Sequence, residues 1–386
     1  MENFEVVQRC MVCSGRFHPR PLLRLENMPN AAQFFPDATA LATERGYDLD
    51  IFQCASCGLI QLAVPPVPYY REVVRAAAYS AEMRLFRQEQ FSRFSRRFNL
   101  AGRKVLEVGC GGGEYLELLA GAGMQAYGLE ASPQAVAQCR KQGLNAFVGY
   151  IDTEEDVVAE APYAAFFILN FLEHFPNPRS ALRGMANALE PGGVCLIEVP
   201  NFTMMVREEL SSEFIRDHLA YFTRESLTHV LATSGFEVID CQEVWHDYIL
   251  SATARKREPA DLSGFVQRQQ HLQREIGRFL DQFGPRRVAV WGAGHQALTV
   301  LSLASMQDRI RYVVDSAPFK QGKFTPATHL PIYHPDMLRE DPVDGIIVMA
   351  ASYSDEVVGI IHRQYDSGMR VAILRGGDLE IIAKPV

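Results

Sequence analysis

The chain has 386 residues, of which 48% are hydrophobic and 22% charged, and its formal net charge is −8. The acidic balance, 46 Asp and Glu against 38 Lys and Arg, argues against a nucleic-acid-binding face, because phosphate recognition requires a basic surface. The longest apolar run, around residues 164–172, is too short to cross a bilayer, and the first residues lack a signal-peptide pattern. We therefore expect a cytoplasmic globular protein of about two to three domains, without a membrane or nucleic-acid partner.

Two C-x-x-C pairs occur in the first segment, residues 1–70: Cys10, Cys13, Cys54 and Cys57. In a reducing compartment such pairs are typical of metal ligands rather than disulfides. Four thiolates satisfy a tetrahedral Zn²⁺ ion and leave no open position for chemistry. The spacing therefore predicts a structural zinc site, with a redox pair or incidental thiols as the alternatives.

The next stretch, residues 69–98, predicts a helix. Its phenylalanines recur at helical spacing, which favours packing of this helix against a sheet: Phe86, Phe91, Phe94 and Phe98. Tyr79 and Ser80 precede the glycine-rich loop described next, and we expect them to fold over a cofactor.

A β-branched stretch then ends in G-x-G-x-G, and a leucine-rich helical pattern follows. Gly109, Gly111 and Gly113 allow a tight turn and the close approach of a ligand. Glu107 places a carboxylate where a pyrophosphate would otherwise lie, so a cationic ligand fits better. Glu130 ends the next strand, a position from which a carboxylate reaches ribose hydroxyls in doubly wound sheets.

Strand and helix patterns alternate from residue 104 to about residue 257. This alternation predicts a parallel sheet covered by helices on both faces, with ligands beyond the carboxyl ends of the strands. Asn170, Leu172 and His174 fall at one such end.

A polar helical stretch leads to a third unit with a second glycine pattern. Gly292 and Gly294 separate a predicted strand from a helix, and the following strand ends at Asp315. This pattern is typical of a dinucleotide-binding unit with a helix N-terminus free for phosphates. Three interpretations stay open: a pocket for the nucleotide part of a substrate, which we favour, a nicotinamide site, and a degenerate fold without a ligand.

The glycine loop with Glu107 and Glu130 resembles the class I S-adenosylmethionine-dependent methyltransferases. The paired cysteines and three motifs that follow them in the chain resemble the zinc-containing sugar C-methyltransferase family. The three motifs are N-F-L-E-H at Asn170–His174, D-H-L-A-Y-F at Asp217–Phe222 and D-S-A-P-F-K-Q-G-K-F-T-P at Asp315–Pro326. This resemblance covers nearly the whole chain.

The resemblance implies an α/β fold in three parts. These are an N-terminal zinc-binding subdomain at 1–70, a central Rossmann-like class I methyltransferase sheet at 71–257, and a smaller C-terminal Rossmann-like substrate-binding domain at 258–386. It implies S-adenosylmethionine and structural Zn²⁺ as cofactors and a small molecule, a nucleotide-linked keto sugar, as the substrate. The implied cofactor-binding residues are Tyr79, Ser80, Glu107, Gly109, Cys110, Gly111, Gly113, Glu130, Ala131, Asn170 and Leu172, and the implied substrate-binding residues are Asn201, Tyr221, Gly292, Gly294, His295 and Lys320.

Carbon methylation next to a carbonyl requires a base, because a carbon acceptor is a poor nucleophile until its proton is removed. His218 is the leading candidate and His174 the second, while Asp217 is expected to orient His218 or to help hold the substrate. The family's glutamate is Asp217 here, and a tyrosine that some members use in catalysis is Ile215. Methylation of oxygen or nitrogen, an NAD(P)-dependent oxidoreductase using the C-terminal glycines, and a non-enzymatic zinc-ribbon adaptor are the alternatives.

Overall fold

The computed structural model describes residues 7–33, 35–72, 80–365 and 368–383. The chain divides into two compact units, Met1–Glu258 and Pro259–Val386. The boundary predicted at 257/258 lies one residue before this division, whereas the boundary predicted at 70/71 lies inside the first unit. Tyr79 lies outside the described residues. In the described part of the chain, no helix is both long and apolar enough to cross a membrane.

A small antiparallel sheet contains the strands of the cysteine-rich segment. Its first three strands are β1 (Leu23–Met28), β2 (Tyr47–Gln53) and β3 (Ile60–Leu62). Strand β3 pairs with a later strand, Ile60 lying opposite Tyr221. The cysteine-rich segment is thus joined by main-chain hydrogen bonds to the residues that directly follow Asp217 and His218.

The central part of the first unit alternates strands and helices. In chain order these are α1 (Ala81–Arg97), β4 (Lys104–Val108), α2 (Glu114–Gly121), β5 (Gln125–Glu130), α3 (Pro133–Lys141), β6 (Asn145–Val148), β7 (Tyr163–Leu169), α4 (Pro178–Asn187), β8 (Leu189–Pro200), α5 (Phe202–Arg207), β9 (Ala220–Tyr221), α6 (Arg224–Thr233), β10 (Phe236–Val244) and β11 (Ile249–Lys256). Short 3₁₀ turns occupy Tyr70–Glu72, Leu172–His174 and Ser211–Glu213.

Among the described residues these strands, except β9, form a seven-stranded sheet in the order β10-β11-β8-β7-β4-β5-β6. Strands β4 to β8 are parallel to one another, which confirms the predicted doubly wound α/β fold. The prediction of a wholly parallel sheet is wrong at one edge, because β10 and β11 are antiparallel to their neighbours. They form a hairpin whose turn has positive φ at Trp245, His246 and Asp247, and a connection this short can only join antiparallel strands.

Helix α1 packs on the sheet through the predicted aromatic face. The rings of Phe91 and Phe94 lie 5.6 and 5.3 Å from the ring of Phe167 on β7. The same helix carries Arg87, which forms an ion pair with Glu198 of β8, and both side chains are 0% exposed. Glu198 is therefore a partner that anchors α1 to the sheet.

The second unit forms its own sheet and core. Its elements are α7 (Ser263–Leu280), β12 (Val288–Trp291), α8 (His295–Leu303), β13 (Ile310–Val314), β14 (Lys323–Phe324), β15 (Pro331–Tyr333), α9 (Met337–Glu340), β16 (Gly345–Val348), α10 (Ser354–Gln364), β17 (Arg370–Arg375) and β18 (Asp378–Ile382). The strand order is β14-β15-β13-β12-β16-β17-β18, and only the two edge strands of this described sheet are antiparallel to their neighbours. This confirms the smaller Rossmann-like unit predicted from the sequence.

We expect Arg87→Met to lower the free energy of unfolding of the first unit by about 3–5 kcal/mol, because it leaves Glu198 buried without its cation. Urea unfolding would be followed by Trp245 fluorescence in a Trp291→Phe background, since the Trp245 ring lies 5.4 Å from Phe86 on α1. The control is Arg96→Met, on an exposed position of the same helix. Equal unfolding midpoints for the two variants would contradict the prediction.

Candidate functional site

The loop between β4 and α2 is shaped by its glycines. Gly109, Gly111 and Gly113 have φ of 73°, 54° and 88°, values that L side chains rarely adopt. A Cβ atom at Gly109 would lie 2.6 Å from Cδ1 of Phe171. At Gly111 a Cβ would have no described atom within 4 Å apart from those of its own and the adjacent residues, and this residue lines the cavity described below. The loop therefore leaves a space that any larger side chain at position 111 would enter.

Glu130 holds this loop in place. One carboxylate oxygen, Oε2, accepts a hydrogen bond from the Gly111 amide at 2.9 Å, and Oε1 accepts one from the Ser132 amide at 2.9 Å. A carboxylate oxygen can accept two hydrogen bonds, so each keeps acceptor capacity. Glu130 lies at the end of β5, as predicted, and can both fix the loop and accept from a ligand's hydroxyls.

A cavity of about 320 Å³ opens beside the glycine loop. It lies where β4, β7 and β8 end, the edge at which α/β sheets bind their ligands. Its wall brings together predicted residues that are far apart in sequence: Gly109, Gly111, Asn170, His174, Asp217 and His218.

Two imidazoles face each other on the cavity wall. The ring centroids of His174 and His218 lie 4.8 Å apart with planes at 71°. His174 Nδ1 lies 2.8 Å from the Asp217 carbonyl oxygen; since a carbonyl only accepts, Nδ1 carries the proton and Nε2 presents a lone pair. Burial lowers the pKa of His174 to about 4. Burial, with the nearby His174, lowers the pKa of His218 to about 3, so both rings are neutral near pH 7.

Asp217 differs from its predicted role. Its carboxylate was expected to orient His218, but Oδ2 instead accepts a hydrogen bond from the Ala32 amide at 3.1 Å. Its neighbour Arg216 donates a hydrogen bond to the Asn30 side chain. Both residues therefore bind the segment that follows β1, and the carbonyl of Asp217 positions His174 instead.

Three further residues of the wall or its surroundings are absent from the sequence prediction. Glu173 lines the cavity, is 2% exposed, and has its pKa raised to about 8 by burial. Tyr248 lines it too, and its hydroxyl donates to Glu213 at 2.7 Å. Tyr69 has a pKa raised to about 12, first by burial and then by Asp217. The L-E-H motif was a signal for Glu173, whereas nothing local in the sequence marks the two tyrosines.

Several residues predicted to contact ligands have structural partners instead. Asn201 is 0% exposed; its Oδ1 accepts from the Thr203 amide and its Nδ2 donates to the Asp247 carbonyl. Tyr221 is 2% exposed, and its hydroxyl bonds to the main chain of Ile215. These two predictions of substrate contact are corrected, because a buried side chain with satisfied polar groups is not available to a ligand.

Other predicted cofactor residues surround the loop without reaching the cavity through their side chains. Leu172 is 0% exposed and part of the core. Cys110 is 0% exposed and lies beneath the loop, where its thiol would be only 2.4 Å from a Cβ at Gly128. Ser80 caps α1 by accepting a hydrogen bond from the Met83 amide at 3.1 Å. Glu107 is 1% exposed on β4, and Ala131 is partly exposed after β5.

The four predicted zinc ligands lie together. Their sulfur atoms all lie within 4.8 Å of one another, with Cys10 to Cys57 at 3.5 Å and Cys13 to Cys54 at 3.4 Å. Main-chain amides point at the sulfurs, including that of Gly15 at 3.4 Å from Cys13. Four sulfurs bound to one zinc ion at about 2.3 Å lie about 3.8 Å apart. The cluster thus fits the donor set and size of a structural zinc site.

In the second unit, other groups of the chain contact the glycine loop and the carboxylate of Asp315. A Cβ at Gly292 would lie 2.5 Å from the Met349 carbonyl oxygen. Asp315 Oδ2 accepts from the Ala293 amide at 2.7 Å and from Lys320 Nζ at 2.8 Å. The acid that binds ribose in dinucleotide sites is thus paired with Lys320. Gly294 precedes the exposed His295, which begins α8.

Comparison with known proteins adds the following. Residues 79–240 match the family model of a methyltransferase domain, and residues 251–374 match that of a C-methyltransferase C-terminal domain. The C-methyltransferase NovU of Streptomyces niveus is 21% identical over 386 residues, covering 91% of each chain. A ubiquinone biosynthesis O-methyltransferase of Xanthomonas oryzae pv. oryzae is 36% identical over 114 residues, 28% of this chain and 48% of that protein. The match thus spans about half the length of that second relative. The amino pentose methyltransferase CalS10 from Micromonospora echinaspora, a solved structure, is 19% identical over 48% of this chain and 100% of that chain, with a TM-score of 0.36.

Proposed function

Because the chain is an S-adenosylmethionine-dependent methyltransferase with a C-methyltransferase C-terminal domain, we propose that it methylates carbon. The proposed acceptor is the carbon beside a keto group in a small nucleotide-linked sugar, and His218 is the general base. The observation that carries the proposal is the cavity whose wall contains both His218 and the glycine loop. The full-length similarity to a protein named as a C-methyltransferase supports the choice of carbon.

Residues at the ends of β4 and β5 would hold the cofactor. Glu130 would accept hydrogen bonds from the ribose hydroxyls through its remaining lone pairs. Gly111 leaves the space into which the ligand fits, and the buried Glu107 favours a cationic group nearby. When bound, S-adenosylmethionine supplies an electrophilic methyl group on a sulfonium.

His218 would remove the proton from the acceptor carbon. Only a neutral imidazole can accept a proton, and the low pKa of His218 keeps it neutral. His174 cannot turn its Nδ1 to a substrate without losing the hydrogen bond to the Asp217 carbonyl. It therefore acts beside His218 as a fixed neutral neighbour, with its Nε2 lone pair available to a hydroxyl of the substrate.

Methylation of oxygen or nitrogen is the second candidate, since a relative named as an O-methyltransferase is 36% identical over 114 residues. A hydroxyl acceptor would use His218 in the same position without cleaving a C–H bond. The oxidoreductase alternative is weaker, because Lys320 occupies the carboxylate of Asp315 that a nicotinamide cofactor's ribose would need. For the second unit we propose binding of the substrate's nucleotide near Gly294 and His295, at the N-terminus of α8.

Replacing His218 by Asn keeps the approximate shape of the side chain but removes the base. We expect turnover to fall by about 10²–10⁴-fold, together with any exchange of the substrate's C–H for deuterium in heavy water. The control is His246→Asn, an exposed histidine on the β10–β11 turn. NMR of the product locates the methyl group. A methyl on oxygen or nitrogen, or a fully active His218→Asn enzyme, would refute the carbon mechanism while leaving the methyltransferase assignment intact.

Glu130→Ala should weaken binding of S-adenosylmethionine by about 10- to 100-fold. Charge-assisted hydrogen bonds contribute about 1.5–3 kcal/mol, and the variant also releases the Gly111 amide. Calorimetric titration measures the affinity, with Glu117→Ala as the control because its carboxylate is 62% exposed on α2. The same dissociation constant in both variants would show that Glu130 does not hold the cofactor.

We expect the protein to carry about one Zn²⁺ ion per chain, bound by the four clustered cysteines. Cys54→Ser should lose this zinc and lower the thermal midpoint of the first unit, since metal binding and folding are coupled. Cys241→Ser, outside the cluster, should keep both. Elemental analysis of freshly purified protein provides the test, and wild-type protein that contains no zinc would contradict the prediction.

A further inference from the structure

Three side chains that can bind a metal ion meet on the cavity wall. Glu173, His174 and His218 each offer one ligand atom, and these atoms lie within 4.8 Å of one another. Glu173 Oε1 is 3.9 Å from His174 Nε2. Ligand atoms around one ion at about 2.0–2.2 Å lie about 3–4 Å apart, so small side-chain rotations would bring all three within bonding distance.

The surroundings fix the direction of His174, and the cavity wall contains both imidazoles. The Asp217 carbonyl accepts from His174 Nδ1 at 2.8 Å, which directs the Nε2 lone pair away from the main chain. Hydrogen bonds of this kind typically hold metal-binding histidines in place. His218 also lines the cavity, so both imidazoles face the same space.

Glu173 is a buried carboxyl group without a cationic partner at its second oxygen. It is 2% exposed, and within the described ranges no group hydrogen-bonds to its Oε2. Leaving a polar atom buried in this way costs free energy. The side-chain oxygen of Asn170, on the same cavity wall, also has no hydrogen-bond donor among the described residues. A bound cation would interact favourably with both oxygens.

We propose that Glu173, His174 and His218 form a second divalent-cation site, separate from the four cysteines, and that an ion bound there inhibits methyl transfer. Two imidazoles and one carboxylate favour Zn²⁺, Co²⁺ or Ni²⁺ over Mg²⁺ and Ca²⁺. The bond to the metal uses the lone pair with which His218 would accept the substrate proton. The inhibition rests on the proposed role of His218, whereas the binding does not.

The test titrates Co²⁺ into protein whose cysteine site holds zinc. Equilibrium dialysis should find one additional Co²⁺ ion per chain, and its visible spectrum should show nitrogen and oxygen ligation without thiolate charge-transfer bands. Glu173→Gln and His174→Gln should each weaken Co²⁺ binding by about tenfold or more. His246→Asn is the matched control, because His246 also lies beside a carboxylate, Glu82, at 3.2 Å, but in an exposed pair.

Turnover of the wild type and of His246→Asn should fall in proportion to Co²⁺ occupancy and recover when Co²⁺ is dialysed away. Unchanged Co²⁺ affinity in both Glu173→Gln and His174→Gln, each checked for native circular dichroism, would overturn the site. Turnover that is constant or rises on Co²⁺ binding would overturn the inhibition. If zinc-loaded protein forms no carbon-methylated product even without Co²⁺, the proposed function fails, and dialysis still decides the metal site.

Discussion

The hydrogen bonds of Asp217 connect the parts of the first unit that form the cavity. Its main-chain carbonyl fixes the tautomer and direction of His174, while its carboxylate accepts from the Ala32 amide. The residue therefore couples the end of β7 to the segment that follows β1. Since His218 is the next residue, a shift of the N-terminal segment would move both imidazoles together.

Through this coupling, a metal ion in the cysteine cluster would position more of the chain than the two cysteine turns. Strand β3 begins three residues after Cys57 and pairs with β9, which begins two residues after His218. A metal ion holding the two cysteine turns would fix the start of β3 and, through the main-chain hydrogen bonds, the chain that carries His218. A structural metal can thus support chemistry without contacting the substrate, because the main-chain hydrogen bonds between paired strands fix the positions of the strands relative to each other.

Burial determines the chemical character of the cavity more than charge does. Desolvation is the main cause that lowers the pKa of both histidines and raises that of Glu173. The result is a set of neutral groups in a protein whose net charge is −8. A neutral imidazole suits both proton abstraction and metal binding, and these two uses compete for the same lone pair.

Features that depend on local spacing could be predicted from the order of the amino acids alone. The cysteine pairs, the two glycine loops, Glu130 at its strand end and the alternation of strands and helices follow from residues near one another in the chain. Each is specified by short-range geometry, as the positive φ of Gly109 shows, since L side chains rarely adopt that conformation. The family resemblance added the candidate bases to the features predicted from the sequence.

The hydrogen bonds between side chains from distant segments could be identified only in the folded chain. Sequence adjacency suggested that Asp217 orients His218, but its carboxylate faces Ala32, 185 residues away in the chain. Asn201 and Tyr221 looked available to a substrate, and burial shows them to be engaged by the main chain. Folding buries Glu173 and places its carboxylate within 4.8 Å of the His218 ring nitrogen, although the two residues are far apart in the chain. Desolvation and long-range contacts depend on the whole packed chain, so no local pattern specifies them.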